Sequence, residues 1–130
     1  MNDLSKKKKA IEEFTRFFGG SYELLAPSDV YCRVFDADKK PLAYIDIVLE
    51  NKQMTDAYPL VVPARRILKL ADKRLNPTMI WMFVDGIVYC KIKKISGEIV
   101  FGKINDNSPD ELLIKIAKRQ RFLRFTSLSP

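Results

Sequence analysis

Histidine is absent from this chain of 130 residues, and cysteine occurs only twice. Without histidine, the chain has no imidazole acid–base chemistry and no Ser-His-Asp triad. Zinc sites of the usual kinds are excluded as well, because neither histidine nor a CxxC pair is there to supply the ligands. Any catalysis must therefore use carboxylates, lysine and a hard metal ion such as Mg²⁺.

Long apolar runs are also missing. No run of eighteen apolar residues occurs, so we expect neither a membrane span nor a membrane partner. The lysine-rich start lacks the apolar segment of a signal peptide. We therefore expect a cytoplasmic protein in which Cys32 and Cys90, both in predicted strands, are reduced core residues. The length fits a single domain over residues 1–130.

Positive charge is in excess. Basic residues outnumber acidic ones by 23 to 16, which gives a net charge of +7. This balance favours a polyanionic partner, although solvated basic helix faces give the same composition. The basic residues form three clusters along the chain: Lys6 to Lys9; Arg65, Arg66, Lys69, Lys73 and Arg74; and Lys115, Lys118, Arg119, Arg121 and Arg124.

The first half of the chain shows helical and strand periodicities in turn. Ile11, Phe14 and Phe18 lie at helical spacing before Gly19-Gly20, which predicts a helix over residues 4–18. Apolar runs between turn residues predict strands over 22–25, 30–35 and 42–49. A loop then leads to a predicted helix over 64–75, with Pro63 at its start and Asn76-Pro77 at its end.

The second half is predicted to add strands and one further helix. Asp85-Gly86 is a two-residue hairpin signal between strands over 79–84 and 87–95, and another strand is expected near 99–104. Ser108, Pro109 and Glu111 form a capping box that predicts a helix to about 118, followed by an edge strand in RFLRF. The expected fold class is α+β or mixed α/β, with one mixed sheet flanked by helices.

Asp46 interrupts the apolar strand LAYIDIVLE. A central strand of this composition is normally covered on both faces, and an ionised carboxylate there is costly unless it is paired. Two alternatives follow. The carboxylate either pairs with Arg65, Arg66 or Lys69 of the covering helix, or it binds a metal ion.

Six segments follow one another along the first two thirds of the chain: VYCRVF, DADKKP, LAYIDIV, Tyr58, PARRILKLA and MFVDG. Their succession resembles the PD-(D/E)XK nuclease superfamily, especially small phage and archaeal resolvase-like or restriction-endonuclease-like members. The resemblance covers residues 11–95. It implies an αβββαβ core with an extra C-terminal hairpin and helix. It also implies a site in which a strand-borne Asp and Glu bind Mg²⁺ or Mn²⁺ beside a Lys.

Residue by residue, the resemblance implies a degraded active site. Asp46 takes the acidic position of Glu-x-Lys, while the lysine position falls on Val48 and the first aspartate position on Cys32. This alignment pairs Cys32 with Asp46 across the two strands. A glutamate of the first helix, Glu12 or Glu13, is a further candidate ligand.

An active alternative uses a shifted site. Glu50 and Lys52 form a literal Glu-x-Lys four residues further along. In that case, Asp46 and Glu50 would bind Mg²⁺ or Mn²⁺, Lys52 would support catalysis, and Glu13 would assist.

Three functions therefore remain open. The first is a degenerate nuclease-like protein that still binds double-stranded or branched DNA, as a phage or bacterial regulatory or counter-defence protein. The second is an active endonuclease. The third is a protein-interaction module, with a host protein or a second copy of the chain as its partner. Six basic residues are the expected nucleic-acid contacts: Arg65, Arg66, Lys69, Lys73, Arg119 and Arg121.

Overall fold

A six-stranded mixed sheet forms the centre of the computed structural model, which describes residues 2–27 and 29–125. One helix covers one face of this sheet. A second helix and a three-stranded sheet cover the other face. The fold class is therefore mixed α+β, as expected from the sequence, but the expectation of a single sheet is wrong.

The described elements, in chain order, are α1 (Asp3–Phe18), β1 (Ser21–Leu24), β2 (Cys32–Phe35), β3 (Pro41–Leu49), β4 (Leu60–Pro63), α2 (Ala64–Ala71), β5 (Thr78–Phe83), β6 (Gly86–Lys91), β7 (Glu98–Gly102), β8 (Glu111–Ile116) and β9 (Arg121–Arg124). The large sheet has the order β1-β2-β3-β5-β6-β9, and the small sheet has the order β4-β8-β7. Neighbouring strands are antiparallel except β3 and β5, which are parallel and joined through β4 and α2. Parallel neighbours need such a crossover connection.

Helix α1 follows its sequence signals closely. The Asn2 side chain accepts a hydrogen bond from the Ser5 amide at the start, and Gly19 ends the helix at a φ of 73°. Ile11 and Phe14 are buried against the large sheet, together with Ile45 and Ile47 of β3. Only Gly adopts a positive φ without steric cost, which explains the stop at residue 19.

The other face of the large sheet holds the second core. Trp81 of β5 is fully buried, and its Nε1 donates to the Val61 carbonyl of β4 at 3.0 Å. Ile67 and Leu70 of α2 pack into the same core. Helix α2 ends at Ala71, four residues earlier than expected, and the chain then passes through Asn76 at a φ of 42° into β5.

The prediction of a helix after Ser108 is wrong, because residues 111–116 form strand β8. In place of a cap, the Ser108 hydroxyl donates to the Asn105 side chain within a turn. Strand β8 lies between β4 and β7, where both of its edges are hydrogen-bonded. The apolar run ELLIKI is compatible with either structure, and the two neighbouring strands decide between them.

The predicted β2–β3 register is also wrong, by one residue. Cys32 lies opposite Ile45 instead of Asp46. Next to the turn, Phe35 lies opposite Pro41, two residues from the predicted pairing, and a bulge between Val34 and Phe35 reduces the difference to one residue. Because side chains alternate along a strand, a one-residue shift moves each residue of β2 to the other face relative to β3. Cys32 consequently belongs to the core beneath α1, whereas Asp46 points toward α2.

The hairpin and the edge strand are confirmed with one adjustment. Phe83 pairs with Gly86, so Val84 and Asp85 form the two-residue turn between β5 and β6. Strand β9 lies at the edge of the large sheet, antiparallel to β6. A Cβ atom at position 86 would collide with the Leu123 carbonyl of β9, which explains the glycine there.

Candidate nucleic-acid interface

Asp46 is paired with Arg66, as the structural alternative for this residue predicts. The aspartate is 9% exposed, and its Oδ2 accepts from Arg66 Nε at 3.0 Å. Its Oδ1 accepts from the Ile47 amide at 2.9 Å. Each carboxylate oxygen thus already has a hydrogen-bond donor, which is the arrangement that a buried ionised carboxylate requires.

The same pair supports the backbone of β3 beyond the end of β2. Arg66 Nη2 donates to the Ile47 carbonyl at 2.7 Å, while Asp46 accepts from the Ile47 amide. The pairing of β2 with β3 begins at Cys32 and Ile45, so β2 does not reach Ile47. The ion pair therefore satisfies backbone groups that a neighbouring strand would otherwise bind.

The remaining predicted catalytic residues are not brought together with Asp46. Glu50 follows the end of β3, where its carboxylate lies 3.6 Å from Lys52 Nζ. Glu13 lies on α1, beyond the opposite face of the sheet, and pairs with Arg16 at 3.1 Å. Across residues 2–27 and 29–125, no group of three acidic or cysteine side chains could hold a metal ion.

Burial perturbs two of the groups around this region. Partial burial raises the pKa of Glu50, although the positive charge of Lys52 opposes the effect. Burial also raises the pKa of the Cys32 thiol, and the negative charge of Asp46 adds to this. Cys32 and Cys90 are both buried and form no disulfide, in agreement with the sequence. Neither thiol has the depressed pKa of a reactive cysteine.

The basic residues expected on α2 mostly contact the chain's own acids. Arg65 Nε lies 2.9 Å from Glu111 of β8, in addition to the Arg66–Asp46 pair. Lys73 Nζ lies 2.8 Å from Asp29, where the hydrogen bond from Lys73 lowers the pKa of that carboxyl group. Lys69 adds positive charge near the same carboxylate.

A second group of basic residues meets at one edge of the molecule, which we call the basic edge. It is formed at the carboxyl end of β6 and the amino end of β9, which are neighbours because Tyr89 pairs with Arg121. In the described chain, none of its members forms an ion pair with a carboxylate. Its six members are Lys91, Lys93, Lys94, Lys118, Arg119 and Arg121.

Half of the basic edge was found from the sequence. Arg119 and Arg121 were expected contacts, and Lys118 belongs to the same cluster. The lysines of KIKK are not among the predicted contacts, because the sequence pattern predicts a strand over the whole segment, whereas residues 92–94 form a 3-10 turn after β6. Tyr58 helps to fix the position of the second segment, since its hydroxyl accepts from the Gln120 amide at 2.7 Å and its ring lies under Arg119.

A cavity of about 430 Å³ opens beside the basic edge, on the α1 face of the sheet. Phe14, Phe18 and Tyr89 form an aromatic wall, with Tyr89 in edge-to-face contact with both phenylalanines. Lys91 and Arg121 of the basic edge also line the cavity. The cavity is thus on the opposite face of the sheet from Asp46.

The described part of the chain contains no helix with the length and apolar character needed to cross a membrane. Comparison of the chain with protein-family models, with curated proteins and with solved structures gives no match.

Proposed function

We propose that this protein binds nucleic acid through the basic edge, on a restriction-endonuclease-like fold whose catalytic positions have been lost. The observation that carries the proposal is the proximity of two basic segments that are distant in sequence, since none of their six basic side chains pairs with a carboxylate in the described residues. Unpaired Lys and Arg side chains at one surface are the electrostatic footprint of phosphate binding.

The order of elements supports the nuclease-like part of the proposal. Helix α1, three antiparallel strands, α2 and the parallel strand β5 follow in the order expected for that fold, with β4 inserted before α2. Lost catalytic positions agree with the surroundings of Asp46. Its oxygens already bind Arg66 and the Ile47 amide, and Val48 is buried where the resemblance expects a lysine.

Salt dependence of binding tests the proposal. A fluorescently labelled duplex and a labelled four-way junction are titrated with the protein by anisotropy, over about 50 to 200 mM salt. If about six phosphate contacts form, affinity falls by roughly three orders of magnitude over this range. Affinity that changes little with salt contradicts the proposal.

Charge-matched variants identify the surface. The test protein carries Lys91→Gln, Lys94→Gln and Arg121→Gln. The control carries Lys8→Gln, Lys52→Gln and Lys103→Gln, three exposed lysines away from the basic edge. Both proteins lose three positive charges. We expect the test protein to lose about three units of the salt slope and the control to lose much less. Equal losses would assign binding to net charge and not to this surface.

A self-associating interaction module is the second candidate, and the apolar surface of the small sheet favours it. Ile99 and Phe101 of β7 are 67% and 71% exposed, and Leu112 of β8, directly opposite Phe101, is 54% exposed. In the described chain, β7 is an edge strand, so a second copy could pair with it about a two-fold axis. Sedimentation equilibrium tests this candidate. A dimer that becomes a monomer with the Phe101→Lys substitution supports it, and a parent protein that is a monomer at all concentrations rejects it.

A further inference from the structure

The cavity beside the basic edge has an aromatic wall whose rings are inclined to one another, Phe14 to Phe18 by 50° and Tyr89 to Phe18 by 88°. The rings of Phe14 and Phe18 lie 4.7 Å apart between centroids, and Tyr89 lies 5.4 Å and 6.0 Å from them. Phe18 is 46% exposed although it belongs to the last turn of α1. The wall therefore presents ring surface that the protein itself does not cover.

Another part of the cavity lining is basic and polar. Lys91, Lys94 and Arg121 belong to it, and no acidic side chain does. Asn76 and Gln120 each donate to a backbone carbonyl, at Leu42 and Lys118, and both have an amide oxygen with no partner in the described structure. Such oxygens can accept hydrogen bonds from a ligand.

A lining that is aromatic in one part and cationic in another favours a ligand that is planar at one end and anionic at the other. A volume of about 430 Å³ lies within the range of small-molecule sites. We propose that this cavity binds one nucleotide, with the base stacked on the ring of Phe18 beside Tyr89 and the phosphate at Lys91, Lys94 and Arg121. The nucleotide has two sources: an unpaired residue of a strand bound along the basic edge, or a free mononucleotide.

This inference extends the proposed function, because the phosphate-binding residues are members of the basic edge. It adds a preference for strands with an unpaired base, since a base inside a duplex cannot reach the wall. Base–aromatic stacking corresponds to roughly 5- to 150-fold in affinity. The amide oxygens of Asn76 and Gln120 in the lining add hydrogen bonds to the base edge.

Three labelled probes test the inference: a blunt duplex, the same duplex with one unpaired nucleotide at its end, and the same overhang with an abasic residue. We expect the overhang with a base to bind about 10-fold more tightly than the abasic overhang. Deoxynucleoside monophosphates, with ribose 5-phosphate as the baseless control, form the free-nucleotide arm. If the overhang with a base binds more tightly than the abasic overhang, the site takes an unpaired residue of a strand. If only the free monophosphates bind more tightly than ribose 5-phosphate, the site takes a free nucleotide.

Two neighbouring phenylalanines give a matched pair of variants. Phe18→Ala removes part of the wall, and we expect it to abolish the preference for a base. Phe17→Ala, at the more exposed neighbour outside the cavity lining, should preserve that preference. Far-UV circular dichroism verifies that both variants are folded. A preference that survives Phe18→Ala would overturn the inference.

Failure of the inference can be told apart from failure of the proposed function. Salt-dependent duplex binding with no discrimination against abasic or baseless ligands in either arm overturns the nucleotide site alone. Loss of salt-dependent binding to every nucleic acid overturns the proposed function. Tighter binding of a fatty acid such as dodecanoate than of any nucleotide would reassign the cavity to apolar anions and overturn the inference.

Discussion

Arg66 binds Asp46 and the backbone next to it at the same time. Its Nε donates to the carboxylate at 3.0 Å, and its Nη2 donates to the Ile47 carbonyl at 2.7 Å. A planar guanidinium can make both bonds from one position, which an ammonium group cannot do in the same way. The charge that makes β3 look like a catalytic strand is therefore part of the connection between β3 and α2.

Removal of Arg66 is expected to destabilise the fold. Arg66→Ala removes the cationic partner of a 9%-exposed carboxylate and the side-chain donor to the Ile47 carbonyl, and we expect a loss of about 3 kcal/mol in the free energy of unfolding. Arg66→Lys keeps the charge but loses the second bond, so we expect an intermediate loss of about 1.5 kcal/mol. Equilibrium urea unfolding measures both.

Arg65 is the matched control for this experiment. It lies on the same helix, but its side chain is 69% exposed where it pairs with Glu111. We expect Arg65→Ala to cost less than about 1 kcal/mol, as is usual for exposed ion pairs. Equal losses for Arg65→Ala and Arg66→Ala would contradict a structural role specific to the Asp46 pair.

Glu50 should make stability depend on pH above its ordinary titration range. Burial raises its pKa in the folded protein above the ordinary value of 4.5. A carboxyl group whose pKa is raised on folding contributes to the free energy of unfolding. This contribution is complete below pH 4.5 and is lost as the pH rises through the pKa of the folded state. We expect Glu50→Gln to abolish this loss, so that the variant gains stability relative to the parent as the pH rises from 4.5 toward neutrality.

The pH profile of Glu50→Gln has a clear contrary outcome. The two proteins are compared by urea unfolding at a series of pH values above 4.5. The lowered pKa of Asp29 affects stability below its ordinary value of 3.8, outside this range. Parallel profiles for the parent and the variant would show that Glu50 does not titrate abnormally.

Divalent metal ions should leave the protein unchanged. Because the oxygens of Asp46 already accept hydrogen bonds from Arg66 and Ile47, we expect millimolar Mg²⁺ or Mn²⁺ to shift the melting temperature by less than about 2 °C. Supercoiled and branched DNA should remain uncut. A metal-dependent rise in melting temperature, or cleavage that Asp46→Ala abolishes, would restore the active endonuclease alternative.

Trp81 should contribute strongly to the packing of the two sheets. Its indole is fully buried and donates to the Val61 carbonyl of β4. Trp81→Phe leaves that carbonyl unpaired and a small cavity behind, so we expect a loss of about 2–4 kcal/mol. Urea unfolding followed by circular dichroism measures it, with Phe122→Leu on the exposed side of β9 as a control expected within about 0.5 kcal/mol. A loss no larger than the control's would rule out this role for Trp81.

Local patterns were sufficient to predict several elements. The stripe of Ile11 and Phe14 and the stop at Gly19 define α1, because these signals depend only on neighbouring residues. The apolar strand around Asp46 is a central strand with covered faces, and its charge has a helix-borne partner. The cost of a buried carboxylate holds in any fold, so the requirement for a partner could be derived in advance.

Other features depended on contacts between distant segments. The turn after Phe35, with Lys39 at a φ of 66°, and the bulge beside Phe35 together set a register that could not be derived from alternation alone. Residues 108–116 carry a helical capping box followed by an apolar run, yet residues 111–116 form a strand because β4 and β7 pair with both of its edges. Propensity differences are small beside two rows of backbone hydrogen bonds.

The sequence by itself determined that this protein has no imidazole chemistry, carries excess positive charge and holds a carboxylate in a central strand that needs a partner. Only the tertiary structure decided which cation that partner is and where unpaired positive charge collects. Arg65 and Arg66 are adjacent in sequence, but a helix directs them to different acids. Lys91 and Arg121 are thirty residues apart, and the antiparallel pairing of β6 with β9 makes them neighbours, because strand pairing joins residues regardless of their separation along the chain.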